Sequence, residues 1–235
     1  MKIVLIGYGK MGKAIEAIAH GRGHEVVAKP DTYQELLNSK VEADVAIEFS
    51  QPEAVIKNLL FCFEHQIPVV CGTTGWLDKK NEVETACHQK QGGFFYASNF
   101  SLGVNLFFKL NETLAQLTRP YSAYKVSIDE THHTEKKDAP SGTAITLAEG
   151  IIKNQPLIKE WHLGETNEQH TLVINSFRID PAPGTHVVKY KSAVDDIEIK
   201  HTAHSREGFA QGAVLVAEWM AGKKGIYSMD DFLKV

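Results

Sequence analysis

The feature that most constrains this chain is its start. Lys2–Ile6 is an apolar run of β type, Gly7-Tyr8-Gly9-Lys10-Met11-Gly12 is a G-x-G-x-x-G turn, and Ala14, Ile15, Ile18 and Ala19 form the apolar stripe of a helix. A strand that ends in such a turn and feeds a helix begins a βαβ unit. Further β-type runs follow at His24–Ala28, Asp44–Phe49, Pro68–Cys71 and Phe94–Ala97, with helical patterns between most of them. Strands alternating with helices predict a doubly wound parallel sheet of Rossmann type. Between the second and third strands, Pro30 to Ala43 leaves room for one brief helix, and Ser50-Gln51-Pro52-Glu53 has the form of a capping box opening a helix that runs to about His65.

The pattern then changes. Leu106, Phe107, Leu110, Leu114 and Leu117 recur at helical spacing from Val104 to about Leu117. Val126 and Ile128 alternate with polar residues in a strand, a turn rich in charge, Pro and Gly follows, and a helix is predicted from about Ser141 to Lys153. Leu172–Arg178, His186–Ser192 and Ile197–His201 are β-like without intervening helices, the last two joined by a turn at Asp195-Asp196. These runs predict an α+β second domain with a mixed or antiparallel sheet. A last amphipathic helix, Phe209 to about Met220, starts just after Ser205, a residue suited to its N-cap.

Composition excludes several classes. A net charge of -4 gives no basic footprint for nucleic acid, so a small molecule is the expected partner. No apolar stretch approaches the roughly 20 residues that span a bilayer, and Met1 leads straight into the first strand, so no signal sequence is expected. Cys62, Cys71 and Cys87 are odd in number and form no CxxC pair, so they are expected to stay reduced in a cytosol.

The glycine loop sits where a dinucleotide pyrophosphate binds: the first glycine permits the tight turn, the second admits the ligand, the third lets helix and strand pack, and the helix start holds the anion. Alone, the motif also fits a glycine turn made for packing. After the second strand, Lys29 could neutralise a 2′-phosphate, and Asp31 could bond a ribose 2′-hydroxyl; NADPH, NADH or both are therefore expected.

The second signal is His132-His133-Thr134-Glu135-Lys136-Lys137-Asp138-Ala139-Pro140-Ser141-Gly142-Thr143-Ala144, where a strand gives way to a helix. Ser141, Gly142 and Thr143 at the helix start suit a carboxylate, and Lys136 is a second anion anchor or a proton donor. Adjacent histidines in an extended strand point to opposite faces, so His132 and His133 share a ligand only where the strand has broken. Metal binding is a rival for a His pair, but no Cys, Asp or Glu at zinc-site spacing completes the set, and no metal is expected. The plain alternative is a solvated turn with Asp138 or Ser141 capping the helix.

Together these stretches resemble the dihydrodipicolinate reductase family over nearly the whole chain. The resemblance rests on the glycine loop, Glu48-Phe49-Ser50, Gly72-Thr73-Thr74-Gly75, Ser98-Asn99-Phe100-Ser101 with Gly103-Val104-Asn105, the long histidine–lysine segment, Pro183-Gly184-Thr185-His186, and Ser205-Arg206 before Phe209 and Gly212-Ala213. It implies a cytoplasmic NAD(P)H-dependent reductase that converts 4-hydroxy-tetrahydrodipicolinate, a small cyclic dicarboxylate, to tetrahydrodipicolinate on the route to diaminopimelate and lysine. It also implies a nucleotide domain of residues 1–103 and 206–235, a substrate and oligomerisation domain of residues 104–205, and a homotetramer. Gly7, Tyr8, Gly9, Lys10, Met11 and Gly12 would bind the dinucleotide, and Gly72, Thr73 and Thr74 with Ala97, Ser98, Asn99 and Phe100 would line the nicotinamide side. His133, Gly142 and Thr143, with Ser141 alongside, would hold the substrate; Lys136 would donate the proton, with His132 as donor or acceptor.

Two departures stand out: Arg178-Ile179-Asp180 replaces an Arg-x-Gly start, and Lys29-Pro30 replaces an acid. Another Rossmann reductase of amino or imino acids, and a redox-sensing NAD(P)H module, are the competing readings.

Overall fold

Alternate side chains of the first strand, β1 (Lys2–Ile6), enter two different cores, and this sets the architecture of the first unit. The computed structural model describes residues 1–39, 42–205 and 207–234. Ile3 and Leu5 join one cluster with α1 (Lys10–Gly21) and α7 (Glu207–Met220). Val4 and Ile6 join the other with α2 (Tyr33–Asn38), α3 (Pro52–Glu64) and α4 (Lys80–Gln89). β3 (Val45–Glu48), β4 (Val69–Cys71) and β5 (Gly93–Tyr96) divide their side chains the same way: Ile47, Val70 and Phe95 to the first face, Ala46, Val69 and Phe94 to the second. Strands buried on both faces are near-continuous apolar runs, as parallel sheets covered by helices require.

With β2 (Glu25–Ala28) and β11 (Gly225–Tyr227), these strands form a six-stranded sheet in the order β11-β5-β4-β3-β1-β2, every pair parallel. The order reverses between β1 and β3, the switch point at which doubly wound sheets bind ligands at their carboxyl ends. The C-terminal segment belongs to this unit: α7 packs on α1, and Arg22 meets Glu218 in a fork of 2.7 and 2.8 Å.

The capping box expected at Ser50 does not form. Gln51 is the N-cap of α3 without a side-chain bond, because the Ser50 hydroxyl is bonded to the Glu48 carboxylate and accepts from Asn58 Nδ2 at 3.1 Å. A buried acid one pleat away outcompeted the helix end for that hydroxyl.

The chain divides into Met1–Leu102 with Glu207–Val235, and Gly103–Arg206. In the second unit, β6 (Lys125–His132), β7 (Glu160–Leu163), β8 (Thr171–Arg178), β9 (Gly184–Lys191) and β10 (Asp196–Ala203) form a mixed sheet in the order β10-β9-β6-β8-β7. β6 runs antiparallel to β9 and parallel to β8. Asp196 already pairs with Lys191, so the turn lies ahead of it. β7 carries Glu160, Trp161 and His162, too polar a run to be seen as a strand.

α5 (Leu102–Thr118) and α6 (Gly142–Asn154) cover the core of this sheet, which gathers Phe107, Ala115, Leu147, Ile151, Ile128, Ile174 and Val188. The buried face of α5 is Val104, Phe107, Asn111, Ala115 and Thr118, whereas Leu106, Leu110 and Leu117 of the apparent stripe are exposed. Asn111 explains the rotation: its Nδ2 donates to Leu147 O of α6 at 3.0 Å, a paired polar contact that the leucine spacing hid. Among the described residues no helix is long and apolar enough to cross a membrane.

Candidate functional site

All residues expected to meet the cofactor stand at or just past the carboxyl ends of the first unit's parallel strands. In the loop after β1 each glycine has its own steric reason. Gly7 has φ +89°, and a Cβ there would meet Phe49 O at 2.2 Å; a Cβ on Gly12 would meet Gly7 O at 2.5 Å. A Cβ added at Gly9 would meet nothing within 4 Å beyond its chain neighbours. The first and third glycines are thus demanded by packing and the second by nothing inside the protein, which leaves its space for a ligand. Gly9 caps α1 without a side-chain bond, and no acid stands in the first turn, so the helix start is open to an anion. This arrangement fits a dinucleotide pyrophosphate.

Around the loop, Tyr8 N donates to Asp31 Oδ1 at 2.9 Å, and the Tyr8 hydroxyl is bonded to Glu16. Lys29 Nζ is 3.0 Å from Glu16 Oε1 and 4.6 Å from the Tyr8 ring centroid. Lys10 is exposed and Met11 half-buried. Past β4, a Cβ on Gly72 would overlap the Phe49 ring at 2.2 Å, and Thr73 is buried, accepting from Ser50 N through its hydroxyl and from Trp76 Nε1 through its carbonyl. Thr74 is exposed. Past β5, Ser98 is exposed and Asn99 half-buried, its Oδ1 accepting from Ser101 N. Ala97 and Phe100 are core residues, and a Cβ on Gly212 of α7 would meet Phe100 O at 1.7 Å. What Ala97 and Phe100 can present to a ligand is backbone.

In the second unit the register of β6 assembles a polar cluster. Glu130 and His132 are two residues apart and share a face. Glu130 pairs with His186 of β9 on one side and with Ser176 of β8 on the other, and His132 pairs with Arg178. Ser141, the N-cap of α6, comes down on the same face. Its N–H donates to both Glu130 oxygens at 3.0 and 3.2 Å, its hydroxyl accepts from Ala144 N at 3.2 Å, and the same oxygen is 3.1 Å from His186 Nε2. Ser176 Oγ donates to Glu130 Oε1 at 2.7 Å. Burial opposes ionisation of Glu130, yet the His186 imidazole, Ser141 and Ser176 outweigh it and hold the carboxyl well below the usual range.

Burial likewise pushes the His132 imidazole down, to about 4 despite the Glu130 charge, so it is neutral at physiological pH. A Cβ on Gly184 would lie 3.2 Å from His132 Nε2, so glycine there gives the ring its room. β6 ends at His132, and half-buried His133 stands where the strand has broken. Lys136 lies in the following loop with its Nζ 2.7 and 2.8 Å from the Asp138 oxygens. Arg178 pins that loop, donating to Lys136 O at 3.2 Å and Asp138 O at 2.6 Å. Asp180, the departure noted above, accepts from Thr134 N and Oγ1 at 3.1 and 2.6 Å and so fastens the start of the same loop.

Gly142 is exposed with open space where a Cβ would stand, and neither Gly142 N–H nor Thr143 N–H has a protein partner among the described residues. Here the helix end offers two donors to an outside anion. Ser141 differs: its donor and hydroxyl are engaged within the protein, so it shapes the site as a cap. Glu130, His186, Arg178 and Asp138 were not singled out from the sequence as site residues. Strand register joins the first three and Arg178 holds the Asp138 carbonyl, although Glu130-x-His132 at a spacing of two was a visible clue. The reason given against a metal, the lack of an acid beside the histidines, does not survive: Glu130 Oε2 stands 3.6 Å from His132 Nδ1, and the His186 ring centroid lies 5.1 Å from that of His132. Arg206 of the resembling Ser205-Arg206 pair lies outside the described residues.

Comparison with known proteins gives a consistent result. Residues 1–100 match the family model described as dihydrodipicolinate reductase, N-terminus, and residues 103–233 match dihydrodipicolinate reductase, C-terminus. A protein of Christiangramia forsetii named 4-hydroxy-tetrahydrodipicolinate reductase is 49% identical over 99% of this chain and 98% of its own. One of the same name from Clostridium novyi is 35% identical over 99% of this chain and 98% of its own. Among solved structures, dipicolinate-bound dihydrodipicolinate reductase from Paenisporosarcina superposes with a TM-score of 0.78 at 23% identity, covering 97% of both chains, which supports the two-sheet fold.

Proposed function

The chain belongs to the dihydrodipicolinate reductase family, and we propose that it reduces 4-hydroxy-tetrahydrodipicolinate to tetrahydrodipicolinate with NAD(P)H in diaminopimelate and lysine biosynthesis. The observation that carries this reading within the molecule is the open start of α6. Two unpartnered N–H groups and an exposed Gly142 lie a few residues from an ammonium on a pinned loop. A ring bearing two carboxylates needs two such anion contacts.

Gly7 to Gly12 hold the pyrophosphate, and Gly72 to Thr74 with the 97–100 backbone serve the nicotinamide end; when bound, NAD(P)H supplies the hydride that reduces a ring carbon. Gly142 and Thr143 N–H groups, with His133 beside them, hold a substrate carboxylate. Lys136 is the proton donor, stabilising the charge that builds on the conjugated ring nitrogen or its neighbour. Neutral His132 positions the ring and accepts or donates one hydrogen bond, a lesser acid than the ammonium. The reading extends to a cytoplasmic homotetramer. The buried free thiols of Cys62, Cys71 and Cys87 suit a reducing compartment, and exposed Phe177 and Ile179 offer apolar surface to a second copy.

Calorimetric titration with pyridine-2,6-dicarboxylate tests the substrate class. It should bind at least tenfold more tightly than pyridine-2-carboxylate, since losing one charge-assisted contact costs about 1.5–3 kcal/mol; equal affinities would contradict a dicarboxylate site. For the cofactor, Lys29→Ala should raise KM for NADPH by about two- to fivefold with little effect on NADH, the scale of an exposed ion pair. An equal change with both cofactors would remove Lys29 from the 2′-phosphate.

A further inference from the structure

We propose that Glu130, His132 and His186 form a buried site for a divalent transition-metal ion of the Zn²⁺ class. One donor atom from each lies within 4.8 Å of the others. His132 Nδ1 is 3.6 Å and His186 Nε2 3.7 Å from the same oxygen, Glu130 Oε2. These separations are too long for hydrogen bonds, but close to the spacing of about 3.4 Å between tetrahedral ligands that each stand about 2.0–2.1 Å from a zinc ion.

The donors are also in the right state. Glu130 Oε1 is engaged by Ser176 and faces Arg178 at 3.5 Å, whereas Oε2 takes only the Ser141 N–H and turns its remaining lone pair to the imidazoles. His132 is 7% exposed, and its Nδ1 has no hydrogen-bond partner. An unpaired buried nitrogen aimed at a carboxylate it does not reach is an uncommon arrangement, and an ion between them would satisfy both. Two imidazoles and one carboxylate select zinc-like ions over Mg²⁺ or Ca²⁺, which need more oxygen ligands. Entry of the ion exchanges the contact between His186 Nε2 and Ser141 Oγ for a metal bond. It also takes His132 out of any exchange with substrate, so an occupied site is inhibitory.

The test uses the full chain, freed of metal by chelation, with Co²⁺ as a spectroscopic probe. One Co²⁺ per chain should produce the visible absorption of a nitrogen- and oxygen-ligated ion. Zn²⁺ should displace it and excess Mg²⁺ should not. His186→Asn and His132→Asn, each shown to be folded by circular dichroism, should weaken binding at least tenfold. They are preferred to Glu130→Gln, which also touches the cap of α6. No cobalt spectrum, or one that persists in both variants, overturns the proposal. Zn²⁺ should in addition lower kcat/KM at least tenfold, reversibly on chelation, and full turnover with metal bound would overturn the ligand assignment. That last readout rests on the reductase reading. A protein with no turnover under any condition fails that reading, while the cobalt spectrum still decides the site.

Discussion

Lys136→Ala is expected to lower kcat by about 10²–10⁴-fold, the range for removing a positioned general acid, with a much smaller change in KM for the ring substrate. The asymmetry follows from when the charge matters. In the proposed reading a substrate carboxylate is held by the Gly142 and Thr143 N–H groups, while the ammonium meets the charge that develops as the ring is reduced, so its loss falls on the transition state. Of the neighbouring strand residues, Arg178 is committed to the Lys136 and Asp138 carbonyls, and the His132 imidazole is uncharged at neutral pH. In the resting structure Lys136 is paired with the exposed Asp138, which costs little to exchange because that partner is well solvated. Steady-state kinetics with both substrates varied decides the matter. A variant whose kcat is unchanged would remove Lys136 from the chemistry.

Gly142→Val should raise KM, and the Kd of pyridine-2,6-dicarboxylate, by at least tenfold, with a fall in thermal stability of no more than a few degrees. The fold has no objection to a side chain here, since nothing lies within 4 Å of the added Cβ, and the φ of Gly142 is not in the left-handed region. A β-branched residue near the helix start costs only about 1 kcal/mol or less by propensity. What it removes is the opening through which a carboxylate reaches two N–H donors, and hydrogen bonds to a charged group are worth about 1.5–3 kcal/mol each. Calorimetry on the variant measures this directly. Unaltered affinity in a folded protein would show that the anion binds elsewhere.

The first unit was legible because its chemistry is local. Strands buried on both faces are continuous apolar runs, the glycine loop fixes its own turn, and each helix follows within a few residues. The second unit was legible in its apolar strands, though not in β7, and not in its faces. The leucines of α5 suggested a buried stripe, and Asn111 with its partner on α6 turned the helix so that Leu106, Leu110 and Leu117 point outward. At the site, the loop from His132 to Thr143 announced itself through its residue types, yet the carboxylate that organises it did not. Glu130 lies in an ordinary-looking strand, and only its pairing with His186 and Ser176 on neighbouring strands makes it a hub. Ser50 shows the same limit at short range. Its sequence context is that of a helix cap, but the buried Glu48 claims the hydroxyl.

The most direct measurement of the central claim is the loss of NADPH absorbance, and separately of NADH absorbance, when the purified protein meets substrate generated in place by coupling pyruvate and aspartate semialdehyde through the preceding synthase. Oxidation that requires the synthase product is the predicted result, and the ratio of the two rates reports the cofactor preference. Binding of NAD(P)H without oxidation by that product would contradict the assignment and leave a reductase of another imino acid, or a sensor, as the reading to pursue.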